Sequence, residues 1–139
     1  MLYLDTSALV KLYLNEVDSA VMHDVVDADI QLATSRLTYV EARSAFARRR
    51  REKDYTLARE HELIHLLDAT WQGITPIDVT ESLILSAAGL VTEHAIRAYD
   101  AVHLASALKL QRDIRRPITF VAFDSSLNRA ATKERLLVL

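Results

Sequence analysis

A chain of 139 residues with two glycines and two prolines has the length of a single domain, 1–139, and too few tight-turn residues for an all-β fold. The absence of cysteine excludes a disulfide framework, a zinc ribbon and a thiol nucleophile. A formal net charge of −2 gives no global signature of nucleic-acid binding, although a pocket of carboxylates can coexist with basic rims in a near-neutral chain.

The apolar run Met1-Leu2-Tyr3-Leu4 predicts a short buried strand over 2–4, closed by Asp5. Helices are expected from about Ser7 through Leu14 and from about Asp18 to Val26, with a second strand over Ile30–Thr34. A long helix then runs from about Arg36 toward Lys53, and another from about Thr56 to Thr70. Ile74 to Val79 is a strand that Pro76 confines to a sheet edge. Thr80 and Glu81 open a helix carrying Leu83, Ile84, Ala87, Ala88 and Val91, and a further helix carries Asp100. Ile118 to Phe123 is the clearest strand, closed by Asp124, and a short helix from Ser125 to about Thr132 leads to a last strand over Leu136–Leu139. Strands separated by helices argue for a parallel sheet covered on both faces. No basic segment precedes the first acid, and no apolar stretch approaches the roughly 18 residues that span a bilayer, so a soluble cytoplasmic protein without a membrane partner is expected.

Four acids stand where their surroundings predict inward-facing side chains. Asp5 and Asp124 lie just past the carboxyl ends of buried strands, the edge where open α/β sheets keep their sites. Glu41 shares a helical stripe with Leu37, Val40, Ser44 and Ala45, and Asp100 heads the stripe of Leu104, Ala107 and Leu108. Each Asp is also a competent helix cap. Capping does not account for Glu41, which falls inside its helix. Carboxylates gathered from strand ends and adjoining helices repel one another unless protons or a cation intervene. An all-oxygen donor set favours Mg2+ or Mn2+, which would acidify water and neutralise a phosphodiester. Thr6, Ser7 and Ser126 are candidates to orient a carboxylate or water, and equally to cap helices.

Two other patterns compete. His61-Glu62-Leu63-Ile64-His65 matches the H-E-x-x-H of zinc proteases, but Asp68 and Trp71 stand where the longer metzincin pattern requires Gly and His. Arg48-Arg49-Arg50-Arg51, with Arg43, forms the main basic cluster. Part of it must be a solvated face, because four consecutive residues point all around a helix, and part is available for RNA phosphate. His103 lies near the inward stripe of its helix, where it reads as a hydrogen-bonded core histidine.

Leu4-Asp5-Thr6-Ser7-Ala8-Leu9-Val10-Lys11-Leu12-Tyr13, Glu41 on a helix, Arg97-Ala98-Tyr99-Asp100-Ala101-Val102-His103-Leu104-Ala105 and Phe123-Asp124-Ser125-Ser126-Leu127, in that order, resemble the PIN-domain ribonucleases and specifically the VapC toxins of type II toxin–antitoxin systems. The resemblance implies a three-layer α/β/α sandwich around a parallel sheet and Mg2+- or Mn2+-dependent endonucleolytic cleavage of structured RNA. Asp5, Glu41, Asp100 and Asp124 are then the metal-binding and catalytic acids, with Thr6, Ser7 and Ser126 as weaker members. It further implies a homodimer and a small cognate antitoxin, through which alone DNA would be met. The alternatives are a catalytically silent RNA- or protein-binding module on the same fold and the zinc protease.

Overall fold

The computed structural model describes residues 1–26 and 30–139. Along the chain run β1 (Leu2–Leu4), α1 (Thr6–Val10), α2 (Ser19–Val25), β2 (Leu32–Ser35), α3 (Leu37–Arg51), α4 (Leu57–Trp71), β3 (Ile74–Ile77), α5 (Glu81–Glu93), α6 (Ala98–Ile114), β4 (Thr119–Val121), α7 (Ser125–Lys133) and β5 (Leu137–Val138). The strands form one sheet in the order β3-β2-β1-β4-β5, every pairing parallel. β1 is therefore central, and the direction of strand addition reverses between β1 and β4.

The strands form because their apolar runs are buried on both faces, as a parallel sheet requires. Alternation then assigns each side chain to a layer. Tyr3, Phe120 and Ala122 join Leu83, Ala87 and Leu90 of α5, Leu104 and Ala107 of α6, and Leu127 of α7 in one core. Leu2, Leu4 and Val121 join Leu9 of α1, Met22 of α2, Phe46 of α3 and Leu63 and Leu67 of α4 in the other. The result is the three-layer α/β/α sandwich expected. Tyr3 stacks on its register partner Phe120 at 5.6 Å between ring centroids, and Phe46 meets the Tyr13 ring edge-on at 5.9 Å. Full burial of a ring such as Phe46 is worth about 2 kcal/mol or more.

Caps fix where the helices begin. The hydroxyls of Thr56 and Thr80 accept the backbone N–H of Arg59 and Leu83 at the starts of α4 and α5, and Asp5 and Asp124 cap α1 and α7 in the same manner. α6 ends on Arg115, whose φ of 54° is left-handed, two residues before Pro117. β3, which contains Pro76, pairs only with β2 and so lies at the sheet edge.

Several boundaries and one helix face differ from the sequence reading; β3 and β4, for example, end at Ile77 and Val121 rather than Val79 and Phe123. β2 starts at Leu32 rather than Ile30, pinned by its register with Leu2 of β1. α1 stops at Val10 rather than Leu14, because the bonds from Leu12 to Leu9 and from Tyr13 to Val10 tighten into turns. The buried stripe of α3 is Thr38, Ala42 and Phe46, while Val40 is 59% exposed. Glu41 accordingly borders the buried face instead of lying within it.

Candidate metal centre

The carboxyl ends of β1 and β4, on either side of the point where strand order reverses, present Asp5 and Asp124. Such a switch point opens a crevice in which α/β sheets bind ligands. The chain continues the β1–β4 ladder one step past the strand, with the Asp5 N–H donating to the Val121 carbonyl at 3.0 Å. Asp5 is buried. Its Oδ1 accepts the Ser7 hydroxyl at 2.7 Å and the Ala8 N–H at 2.8 Å. Ser7 Oγ in turn accepts the Phe123 N–H at 2.9 Å, tying the β1 loop to the β4 loop. Asp124 Oδ1 accepts the N–H groups of Ser126 and Leu127 at 2.9 and 2.8 Å.

Glu41 reaches this edge from the second turn of α3. Its Oε2 accepts the Thr6 hydroxyl, and His103 Nε2 lies 2.9 Å away. His103 is buried in α6, and its Nδ1 stands 3.2 Å from the Tyr3 hydroxyl. The core histidine expected from sequence is thus hydrogen-bonded to one of the four acids. Asp100, in the first turn of α6, accepts Arg97 Nε at Oδ2 (2.8 Å) and the Arg97 terminal nitrogen at Oδ1 (3.3 Å).

Asp5, Glu41 and Asp124 share one feature. Each commits a single oxygen to its positioning bonds and leaves the other, Asp5 Oδ2, Glu41 Oε1 and Asp124 Oδ2, without a partner among the described residues. Orienting bonds of this kind are what hold a ligating carboxylate in place.

The electrostatics agree with convergence. Burial raises the Asp5 carboxyl above its ordinary range; the charge of His103 and the bonds from Ser7 and Ala8 offset this in part, and the charge of Asp100 adds to it. Burial acts on Glu41 in the same direction, but the bonds from His103 and Thr6, with the charges of His103 and Arg97, outweigh it and hold Glu41 below its usual value. Arg97 is raised by its bond to Asp100 and by the charges of Asp100, Asp124 and Asp5, against some desolvation. Arg97 thus pairs with Asp100, and its charge also acts on Asp5, Asp124 and Glu41.

Among the described residues, Glu93, His94 and Glu134 form the trio of ligating side chains whose atoms lie within 4.8 Å of one another, and no three of the four acids meet that spacing. The trio joins the ends of α5 and α7, with His94 Nε2 2.7 Å from Glu134 Oε1. His61, Glu62 and His65 are exposed on α4, Glu62 pairs with Arg59, and no third ligating group joins the two histidines among the described residues.

The basic cluster divides. Arg49 pairs with Glu16 and Asp54, and Arg50 with Glu60, so these two tie α3 to neighbouring segments. Arg43 lies over the Tyr39 ring at 5.9 Å. Arg48 and Arg51 line the groove that contains Thr6, Ser7 and Glu41. Ser126 Oγ accepts Arg129 at 2.8 Å. Sequence reading passed over Arg97, although its place three residues before Asp100 is the spacing of a helical ion pair.

The sequence pattern of the PIN domain matches residues 2–133. Ribonuclease VapC49 of Mycobacterium tuberculosis is 35% identical over 108 residues, 78% of this chain and 75% of that protein. Ribonuclease VapC35 of the same organism is 30% identical over 141 aligned positions, covering 100% of this chain and 96% of its own. Among solved structures, VapBC2 from Rickettsia felis bound to a promoter DNA fragment superimposes with a TM-score of 0.67 at 14% identity, over 100% of this chain and 98% of that one. FitAcB from Neisseria gonorrhoeae gives 0.65 at 18% identity, over 100% and 96%.

Proposed function

This chain belongs to the PIN-domain family, in its VapC branch, and from that premise we propose that it is a metal-dependent RNA endonuclease acting as the toxin of a toxin–antitoxin pair. The observation that carries the proposal is the set of oriented carboxylates at the switch point, three of them with an uncommitted oxygen and the fourth, Asp100, held by Arg97.

The donor set suits a hard divalent cation. It is all oxygen, and it includes a buried carboxylate whose charge is disfavoured by desolvation, a cost that a bound cation would offset. Asp5, Glu41, Asp100 and Asp124 would hold Mg2+ or Mn2+, which would neutralise the phosphodiester and acidify water. Ser7 and the α1 N-terminus fix Asp5, Thr6 and His103 fix Glu41, and the N–H groups of α7 fix Asp124. Arg97, 79% exposed at its side chain, is free to turn from the acids to a phosphate oxygen. Hydrolysis breaks the P–O3′ bond and leaves a 3′-hydroxyl and a 5′-phosphate.

Partners follow from the family and from the surface. Structured RNA is the substrate, and a small antitoxin restrains the enzyme, contacting DNA on the pair's behalf. Ile84, Leu85 and Val91 of α5 are exposed at 46%, 67% and 44%, an apolar row that suits burial against a second copy. No helix among the described residues is long and apolar enough to cross a membrane, consistent with a cytoplasmic site of action.

The test is Asp100→Asn. Asn caps a helix about as well as Asp but is a poor ligand for a hard cation, so Mg2+-dependent cleavage is expected to fall at least about tenfold with folding intact. RNA end-mapping after brief expression without antitoxin identifies the cut. Full cleavage by the variant refutes the role of Asp100, and 2′,3′-cyclic phosphate ends refute hydrolysis by water.

A further inference from the structure

The end of the molecule opposite the four acids carries its own concentration of charge. Where α6 and α7 end and β4 and β5 begin, Gln111, Arg115, Arg116, Pro117, Arg135 and Leu137 line a hollow of about 400 Å³. The strands are parallel, so this is the amino edge of the sheet, whereas Asp5 and Asp124 stand at its carboxyl edge. Arg115 closes the helix whose first turn holds Asp100, roughly 22 Å away along the axis.

A helix dipole favours arginine at a carboxyl end, and one at each helix would need no other account. Here three guanidiniums share one hollow, and two of them are fixed at the root. Arg135 is the left-handed residue (φ 63°) of a closed helix stop, in which its N–H donates to the Thr132 carbonyl and the Leu136 N–H to the Ala131 carbonyl, both at 3.0 Å. Arg115 ends α6 at φ 54°. None of the three forms an ion pair among the described residues, while the acids of the same helix ends, Asp113 and Glu134, pair with Lys109 and His94. Gln111 accepts the Ile118 N–H at Oε1 (3.3 Å), leaving its amide N–H groups without an acceptor among the described residues. The hollow thus presents hydrogen-bond donors and mutually repelling positive charges, a cost that a bound anion removes.

We propose that this hollow binds a condensed phosphate, the di- or triphosphate group of a nucleotide or of inorganic polyphosphate, between Arg115, Arg116 and Arg135. A phosphate monoester brings a charge of about −2 at most, so three guanidiniums match the greater charge of a condensed phosphate, whose adjacent oxygens also suit their forked donors. Pro117 and Leu137, the latter 58% exposed, give the same hollow an apolar wall for the ring of a nucleoside. Its volume is that of a small-ligand site. The proposal does not depend on the nuclease reading, and its test involves no cleavage.

The probe is inorganic tripolyphosphate, titrated into the full chain by calorimetry without divalent metal, beside inorganic phosphate and ATP. Saturable binding of one tripolyphosphate is expected, at least about tenfold tighter than that of phosphate. Arg115→Gly, Arg135→Gly and Arg116→Ala should each weaken it about tenfold, and Arg48→Ala, at the other edge of the sheet, should leave it unchanged. Glycine eases the left-handed backbone at 115 and 135, so those two variants should melt no lower than the parent, which separates lost binding from lost folding. ATP binding tighter than tripolyphosphate, with the gain lost in Leu137→Ser, supports the proposal with a nucleotide as occupant; equal affinities support it with polyphosphate. Absence of saturable binding, or parental affinity in all three arginine variants, overturns it. So does a short RNA without terminal phosphate that binds more tightly than tripolyphosphate and loses that affinity in the same variants, which would make the hollow a nucleic-acid surface.

Discussion

Two acidic clusters lie among the described residues, and on the proposed function the tighter one is not the metal site. Glu93, His94 and Glu134 stand close enough to grip an ion, but His94 already bonds Glu134, Arg129 and Lys133 line the same hollow, and the site closes the ends of two helices. The cluster at the sheet edge is looser and poorly compensated. There the bonding partners orient the carboxylates and leave oxygens over. Incomplete satisfaction in a fixed geometry, rather than proximity, marks the site built for a ligand.

That contrast breaks most sharply at Asp124. Asp124→Asn preserves an oxygen for the N–H groups of Ser126 and Leu127, so the melting temperature should hold while Mg2+-dependent RNA cleavage falls at least about 100-fold. Cleavage assays beside thermal melts check both halves. In the other cluster the pattern should invert. His94→Ala removes a partly buried bond between α5 and α7, and is expected to cost about 1 kcal/mol in urea unfolding with cleavage per folded molecule unchanged. If the His94 variant loses cleavage instead, the two clusters have been assigned the wrong way round.

Arg97→Ala sharpens the comparison from the side of the counter-ion. Without the exposed guanidinium the acids are less compensated, so Mn2+ should bind about threefold more tightly by calorimetry at low salt, the gain fading as salt rises. The smallest effect concerns stability alone. Because folding raises the Asp5 carboxyl, its contribution is full below the unfolded-state value and is lost as pH climbs through the folded-state value. Asp5→Asn should therefore melt higher than the parent at neutral pH without metal, and the difference should shrink as the pH is lowered into the carboxylate range. Melting curves across that range decide it, and a difference that grows on acidification contradicts the sign.

Much of this frame is readable from the residues. Asp5 and Asp124 follow unbroken apolar runs, and a parallel sheet buried on both faces turns such runs into strands whose ends face the switch point. Glu41 was harder, because α3 has no single dominant apolar stripe. Val40 looks inward by type, yet α1 and α4 cover the Thr38–Ala42–Phe46 face instead. The bond between Glu41 and His103 joins residues on separate helices, 62 positions apart, so neither helix's pattern contains it. The division of the arginines was likewise hidden, since Glu16 and Glu60, which claim Arg49 and Arg50, come from distant segments. Periodicity reports which side of an element faces the core and is silent on which partner waits there.

The central position of β1 has a further consequence. Leu2, Tyr3 and Leu4 are made long before one of their two neighbouring strands, which begins at Thr119, and Asp124 is translated later still. Loop closure over such a span comes late. A chain that stops short of β4 holds one flank of the sheet without the other, and on the proposed function it lacks one of the four acids needed to cut RNA. On that reading activity cannot precede the synthesis of Asp124, which leaves a translational interval for an inhibitor to be waiting.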